Sequence, residues 1–93
     1  MFKTNEYFDG KVKSIAVENA AGPATIGAMA AGEYEFGTAT KEIMQLIYGD
    51  MSVILPGETE WKEIAVGETF EVEKDQKFKV KVSQDSAYLC LYK

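Results

Sequence analysis

The chain has 93 residues, a formal charge of −5, ten lysines, no arginine, no histidine and one cysteine. That length allows one domain, near the lower limit of what folds without disulfides or metal. The composition excludes an intramolecular disulfide and a Cys/His metal cluster within one chain, and its acidic balance opposes binding to a phosphate backbone.

In chain order, the opening "MFKTNEYFDG" lacks the apolar core of a secretory signal. No apolar run reaches the roughly 20 residues needed to cross a bilayer. A soluble, cytoplasmic protein is expected, and at this size a homodimer is the expected way to extend a thin core. Turn signals then recur at "FDG", "NAAG", "AAG", "YGD", "LPGE", "VGE", "KDQ" and "SQD", leaving short segments between them. "EYEFG" alternates Tyr34 and Phe36 against Glu33 and Glu35. "KEIMQLIYG" is the best helix candidate, but its β-branched residues and Gly-Asp ending suit a strand as well. "TFEVE" sets Phe70 and Val72 on one side, and "KFKVKV" sets Phe78, Val80 and Val82 against Lys77, Lys79 and Lys81. The final "SAYLCLY" places Tyr88, Cys90 and Tyr92 on one face and Leu89 and Leu91 on the other. Many short, evenly spaced, half-buried strands predict an all-β fold in one domain over residues 1–93.

Two features coincide in the middle of the chain. Glu42 stands seven positions before Gly49, and "GETFEVEKDQKFKV" at residues 67–80 reads as strand, tight turn and strand, opened by Gly67. Together they resemble the two motifs of the cupin superfamily, so the resemblance implies a cupin-like antiparallel β-barrel of the jelly-roll type. Cupins usually hold a metal with His-x-His, a glutamate and a later histidine. Those four places fall on Phe36, Thr38, Glu42 and Phe78. One carboxylate and one hydroxyl do not supply the three or four protein ligands of a transition metal, and no imidazole is present to act as a base. No metal cofactor is expected. What remains is a barrel mouth lined with aromatic rings and a few polar tips, suited to a flat ring and a hydroxylated sugar.

"NEYFDGKVKSI", "GEYEFGTAT" and "SAYLCLY" further resemble the pyrimidine/purine nucleoside phosphorylase family of small, metal-free cupins, and the resemblance runs nearly end to end. It implies phosphorolysis: a nucleoside and inorganic phosphate give ribose 1-phosphate and a free base, with phosphate as co-substrate and no other cofactor. On that resemblance Glu42 orients ribose, Thr38 with Thr40 or Lys41 meets phosphate, and Phe36, Phe78 and Tyr88, with Tyr7 as a further candidate, surround the base. A pocket that grips sugar and phosphate while only stacking the base tolerates many bases. The family often carries an arginine in the glycine-flanked segment that here reads "GPATIG", with Pro23 in it, so lysine, hydroxyl or backbone N–H groups must hold phosphate.

Each of these residues also has a plainer role. Glu42 can close a surface turn, Phe36 and Phe78 can be core packing, and a buried Thr38 hydroxyl can be satisfied by backbone. The lysine row reads as a solvated face guarding a strand edge. Cys90, with no histidine to activate it, reads as a small buried hydrophobe. Trp61 suits a dimer contact or a barrel cap. Two other functions compete: a non-catalytic cupin that senses a sugar or nucleoside, and an oligonucleotide-binding barrel, which the acidic balance opposes.

Overall fold

The structure, a computed structural model, describes residues 1–93. It is all β, with ten strands. In chain order they are β1 (Thr4–Tyr7), β2 (Val12–Asn19), β3 (Gly22–Met29), β4 (Gly32–Gly37), β5 (Glu42–Tyr48), β6 (Met51–Ile54), β7 (Lys62–Ile64), β8 (Thr69–Val72), β9 (Lys77–Val82) and β10 (Ser86–Tyr92). They form two antiparallel sheets of unequal width, one in the order β1-β2-β3-β10-β5-β8 and one in the order β4-β9-β6-β7. The architecture is cupin-like and of the jelly-roll type, with two separate facing sheets rather than one closed cylinder. No helix is long and apolar enough to cross a membrane.

Period-two patterning accounts for most of this. In β9, Phe78, Val80 and Val82 are buried while Lys77, Lys79 and Lys81 face solvent. β10 buries Ser86, Tyr88 and Cys90 and leaves the alternate residues partly open. "KEIMQLIYG" resolves as strand β5, where pairing with β10 on one side and β8 on the other overrides its helical spacing. Gly67 lies in the turn before β8, with φ +90°, so the strand starts two residues later than the motif suggests. The lysine row also differs from expectation. β9 is an interior strand between β4 and β6, so the row guards no edge; Lys79 and Lys81 stand opposite Glu35 and Glu33, and the Lys81 ammonium sits 4.2 Å above the Trp61 ring.

The shared core contains fifteen buried apolar residues, with Met29, Leu46, Met51, Val53 and Val80 all but fully buried. Where β5 and β8 send Met44, Leu46, Phe70 and Val72 inward, the inward positions of β2 and β3 include Ser14, Thr25 and Gly27. Small side chains on one half of the wide sheet leave space that large ones occupy on the other.

Candidate active site

That space is a cavity of about 250 Å³, lined chiefly by aromatic and apolar groups. It lies near the lower end of small-molecule sites, roughly 300 Å³ and upward. Both sheets build it. β10 contributes Tyr88, Cys90 and Tyr92 from one face, β5 contributes Glu42 and Met44, and the four-stranded sheet contributes Phe36 and Phe78, with the exposed Glu35 at the border. Ser14 and Met29 close the wall from β2 and β3, and Tyr7 and Phe8 come from the hairpin joining β1 to β2.

Tyr88 depends on its neighbours across the sheet. It pairs with Gly27 on β3, and a Cβ at Gly27 would lie 2.5 Å from the Tyr88 hydroxyl. The ring therefore lies flat across a position that only glycine leaves open. The register against β5 shifts between Ala87 and Tyr88, where β5 carries one extra residue, Ile47, so the bulge lies on the partner strand opposite this residue. Burial pushes the Tyr88 phenol up to about 12, so at neutral pH it is an uncharged hydroxyl. At the other end of β10, the Tyr92 hydroxyl shares a 3.0 Å hydrogen bond with Thr25 Oγ1, and burial raises its pKa as well.

Phe8 was not legible as a site residue. It reads as part of the turn "FDG", and it does sit in a turn, with Phe8, Asp9 and Gly10 at φ 54°, 58° and 84°. A bulky residue in the left-handed region is uncommon and costs stability. Here the ring packs 4.9 Å from Tyr34 and edge-on 5.6 Å from Phe36, centroid to centroid. The strained turn thus carries an aromatic ring to the cavity wall. The signal in the sequence was an aromatic residue opening a Asp-Gly turn, which is uninformative until the β1–β2 hairpin is known to cover β4. Ser14 and Met29 were missed for a related reason: their convergence is set by sheet neighbours far apart in the chain.

Glu42 is half-buried at the start of β5, and the Cys90 thiol donates to its Oε1 at 3.4 Å. Burial raises the Glu42 pKa above the ordinary carboxylate range, and the Cys90 hydrogen bond pulls the other way. The thiol itself is pushed up to about 12, first by burial and then by the adjacent carboxylate, so it is a proton donor and not a nucleophile. The lining presents one half-buried carboxylate, Glu42, four hydroxyls on Tyr7, Ser14, Tyr88 and Tyr92, and no cationic side chain; Glu35 borders it but is exposed, opposite Lys79 on the outward side of β4.

The structure therefore brings Phe36, Glu42, Phe78 and Tyr88 together around one cavity and leaves Thr38, Thr40 and Lys41 out of its lining. Thr38 is buried, as its parity predicts, but its hydroxyl donates to Glu73 O at 2.6 Å and accepts from Gln76 N at 3.0 Å. That hydroxyl closes the β8–β9 turn and has no free capacity aimed at the cavity. Thr40 is exposed, with its hydroxyl directed to the Lys41 carbonyl. Lys41 is engaged by Glu71 at 3.0 Å and Glu73 at 3.7 Å; its hydrogen bond to Glu71 and the charges of both carboxylates raise its pKa. Of the four cupin ligand positions, Phe36, Glu42 and Phe78 face the cavity and Thr38 does not. Phe36 and Phe78 pack as a tilted pair, 5.7 Å between ring centroids, where a metal cage would hold imidazoles.

An aromatic-walled cavity between two cupin-like sheets, with a half-buried carboxylate and no histidine, defines a candidate small-molecule site of a cupin-like protein. The model of the pyrimidine/purine nucleoside phosphorylase family matches residues 2–92. A protein of Pseudomonas aeruginosa with the name pyrimidine/purine nucleoside phosphorylase is 61% identical over 93 residues, covering all of both chains. One of the same name from Alcanivorax borkumensis is 59% identical over 92 residues, covering 99% of this chain and 98% of its own. A crystal structure of a protein of unknown function from Vibrio parahaemolyticus superposes with a TM-score of 0.95 at 38% identity, over 100% of this chain and 99% of the other. The chain belongs to the pyrimidine/purine nucleoside phosphorylase family.

Proposed function

We propose that the protein is a cytoplasmic pentosyltransferase. It cleaves purine and pyrimidine nucleosides with inorganic phosphate, releasing the base and ribose 1-phosphate inside this cavity. The observation that supports the reading most is the pairing of a half-buried carboxylate with aromatic walls in a cavity of nucleoside scale.

The chemistry follows from the transition state. As the bond between C1′ and the base nitrogen lengthens, positive charge develops on the ribose ring, and phosphate oxygen forms the new bond to C1′ as the base leaves with the electron pair. In its ionised form, Glu42 accepts hydrogen bonds from ribose hydroxyls and faces that positive charge at low dielectric, where electrostatic stabilisation is strongest. Phe36, Phe78 and Phe8 offer faces and edges to the base without reading its hydrogen-bonding groups, which suits both purines and pyrimidines. Phosphate meets a different environment from the one expected of Thr38, Thr40 and Lys41. Within the lining, its uncharged donors are the hydroxyls of Tyr7, Ser14, Tyr88 and Tyr92. Burial keeps Tyr88 and Tyr92 protonated and therefore able to donate.

The test is incubation with uridine or adenosine, with and without phosphate, and measurement of free base and ribose 1-phosphate. Base release that requires phosphate, and that falls in Glu42→Gln, supports the reading. Saturable nucleoside binding with no release in either condition makes the protein a sensor of the same ligand. Equal release without phosphate makes it a hydrolase.

A further inference from the structure

The β1–β2 hairpin sets an aromatic residue where its turn favours a small polar one. The Gly10 N–H donates to the Tyr7 carbonyl at 3.2 Å, which makes Phe8 and Asp9 the central residues of the turn, and both have positive φ, 54° and 58°. Turns of that mirror-image class prefer Asn, Asp or Gly at both positions. Asp9 conforms and Phe8 does not. Holding a residue with a Cβ in the left-handed region lowers the folded-to-unfolded ratio by roughly 5–30-fold. Burial offsets this only in part, because the ring stays 42% exposed after packing on Tyr34 and Phe36. Backbone strain of this kind clusters where a ligand is held.

The cavity that this ring lines has chemically different ends. Met29 pairs with Ser86 at one end of β10, and Glu42 pairs with Tyr92 at the other; at roughly 3.4 Å per residue the span is about 20 Å. The Glu42 end carries the carboxylate, the Cys90 thiol and the Tyr92 hydroxyl. The hairpin end carries Phe8, Met29 and the Tyr7 hydroxyl. No amide or cationic side chain lines the cavity, so nothing in it reads the edge of a base by paired donors and acceptors. Phe8 is also the outermost member of a row of rings, Phe8, Phe36, Phe78 and Phe70, with centroids 5.6, 5.7 and 6.1 Å apart. The other three are fixed on β4, β9 and β8, and Phe8 alone is carried by a turn. We propose that Phe8 is the stacking platform for the nucleoside base, and that the strained turn holds its ring in that place. This rests on the nucleoside reading of the cavity and fixes how the substrate lies in it: base at the hairpin end, ribose at the Glu42 end. A single aromatic face grips any planar base, which strengthens binding by roughly 5–150-fold whatever the base. Tyr7 and Phe8 are exposed as well as lining, so the base end opens outward and admits one ring or two.

Calorimetric titration with uridine and with inosine, in the absence of phosphate, measures the base contact, and ribose 1-phosphate, which has no base, is the control. Phe8→Ala should weaken both nucleosides by about tenfold, Phe8→Tyr should keep them within about twofold of the unaltered protein, and neither should move ribose 1-phosphate by more than about twofold. Urea unfolding measures the strain. Phe8→Gly and Phe8→Ala lose the same ring, but only glycine adopts φ 54° freely, so Phe8→Gly should have the higher folded-to-unfolded ratio, by roughly fivefold or more. Should Phe8→Ala unfold, Phe8→Gly decides the titration. Nucleoside affinity unchanged in both variants overturns the proposal and leaves the phosphorolysis reading standing. An equal loss for ribose 1-phosphate overturns it too, by making Phe8 a support for the whole cavity. So does a Phe8→Ala protein as stable as Phe8→Gly, since the turn is then unstrained. Nucleosides that bind, release no base with phosphate, and lose affinity in the variants support the proposal while the phosphorolysis reading fails. No nucleoside binding by the unaltered protein overturns both.

Discussion

The interior of this protein has a filled half and an open half, built on the same sheet from the same strand geometry. On the filled half, Leu46, Phe70 and Val72 reach inward from β5 and β8 and share the core with Met51, Val53, Ile64 and Val80 of the facing sheet. On the open half, β2 and β3 offer Ser14, Thr25 and Gly27, and the space they leave is bounded by Tyr88, Phe36, Phe78 and Glu42. The difference lies in side-chain volume and polarity, not in backbone. A ninety-residue sandwich has little apolar surface to spare, so leaving one half open places most of the stability on the other.

Exchanging large for small on the filled half breaks this division most severely. Leu46 is 1% exposed, and Leu46→Ala should cost about 2–5 kcal/mol, against a total for 93 residues of roughly 5–14 kcal/mol. Urea unfolding at constant slope reads the change. At a temperature where the variant is still folded, activity per folded molecule should be near that of the unaltered protein, because Leu46 does not line the cavity. A loss of activity larger than the loss of folded fraction would show that the two halves are not separable.

On the open half the corresponding change is Glu42→Gln, which keeps volume and removes charge. The expected loss is about 10²-fold in kcat/KM with nucleoside and phosphate saturating in turn. Stability should move the other way. Burial raises the Glu42 pKa, so the folded state holds this proton more tightly than the unfolded chain does. The Glu42 contribution is therefore most favourable below the unfolded carboxylate value, near 4.3, and declines as pH rises from there through the raised folded value. Glu42→Gln removes that decline, and thermal melts between pH 4 and 7 should give a flatter profile for the variant. A melt series that steepens instead would mean that the carboxylate is stabilised, not strained, by its surroundings.

How far the sequence alone reaches is visible in the same two halves. The β9 and β10 alternation announced which residues face inward, including Tyr88, Cys90 and Tyr92, because burial on one face imposes a period of two whatever the neighbours are. Thr38 shows the limit. Its burial was legible, but its partner was not: the Glu73 carbonyl lies 35 positions away, and a hydroxyl satisfied by backbone looks the same in sequence as one waiting for substrate. Glu42 was placed by motif spacing, whereas its contact with Cys90 spans 48 positions and depends on the pairing of β5 with β10. Ser14 and Gly27 are small residues in strands, which usually signal nothing. They mark a cavity only once β2, β3 and β10 are known to be adjacent.

A smaller effect is expected where the open half is partly closed. Gly27→Ala adds one methyl group under the Tyr88 ring, and the ring must swing away to admit it. Overpacking of this kind costs about 1–3 kcal/mol, and activity should fall by about tenfold because the Tyr88 hydroxyl leaves its place on the wall. The second substitution Tyr88→Ala distinguishes this from a general weakness of β3. In that background Gly27→Ala should cost almost nothing, since the group it collides with is gone. An undiminished cost would locate the strain in the backbone.

The smallest expected effect concerns the one contact that joins the two carriers of polarity in the cavity. The Cys90 thiol donates to Glu42 and so stabilises its ionised form, opposing the effect of burial. Cys90→Ala removes the donor while leaving the carboxylate in place, so the Glu42 pKa should rise further. If ribose is held by the ionised form, the acid limb of kcat/KM must then move to higher pH, with the plateau rate reduced by no more than about threefold, the scale of one weak hydrogen bond. Cys90→Ser, which restores a donor, should return the limb toward its original position. A limb that moves to lower pH, or that ignores both substitutions, would show that the Glu42 carboxylate does not govern the rate.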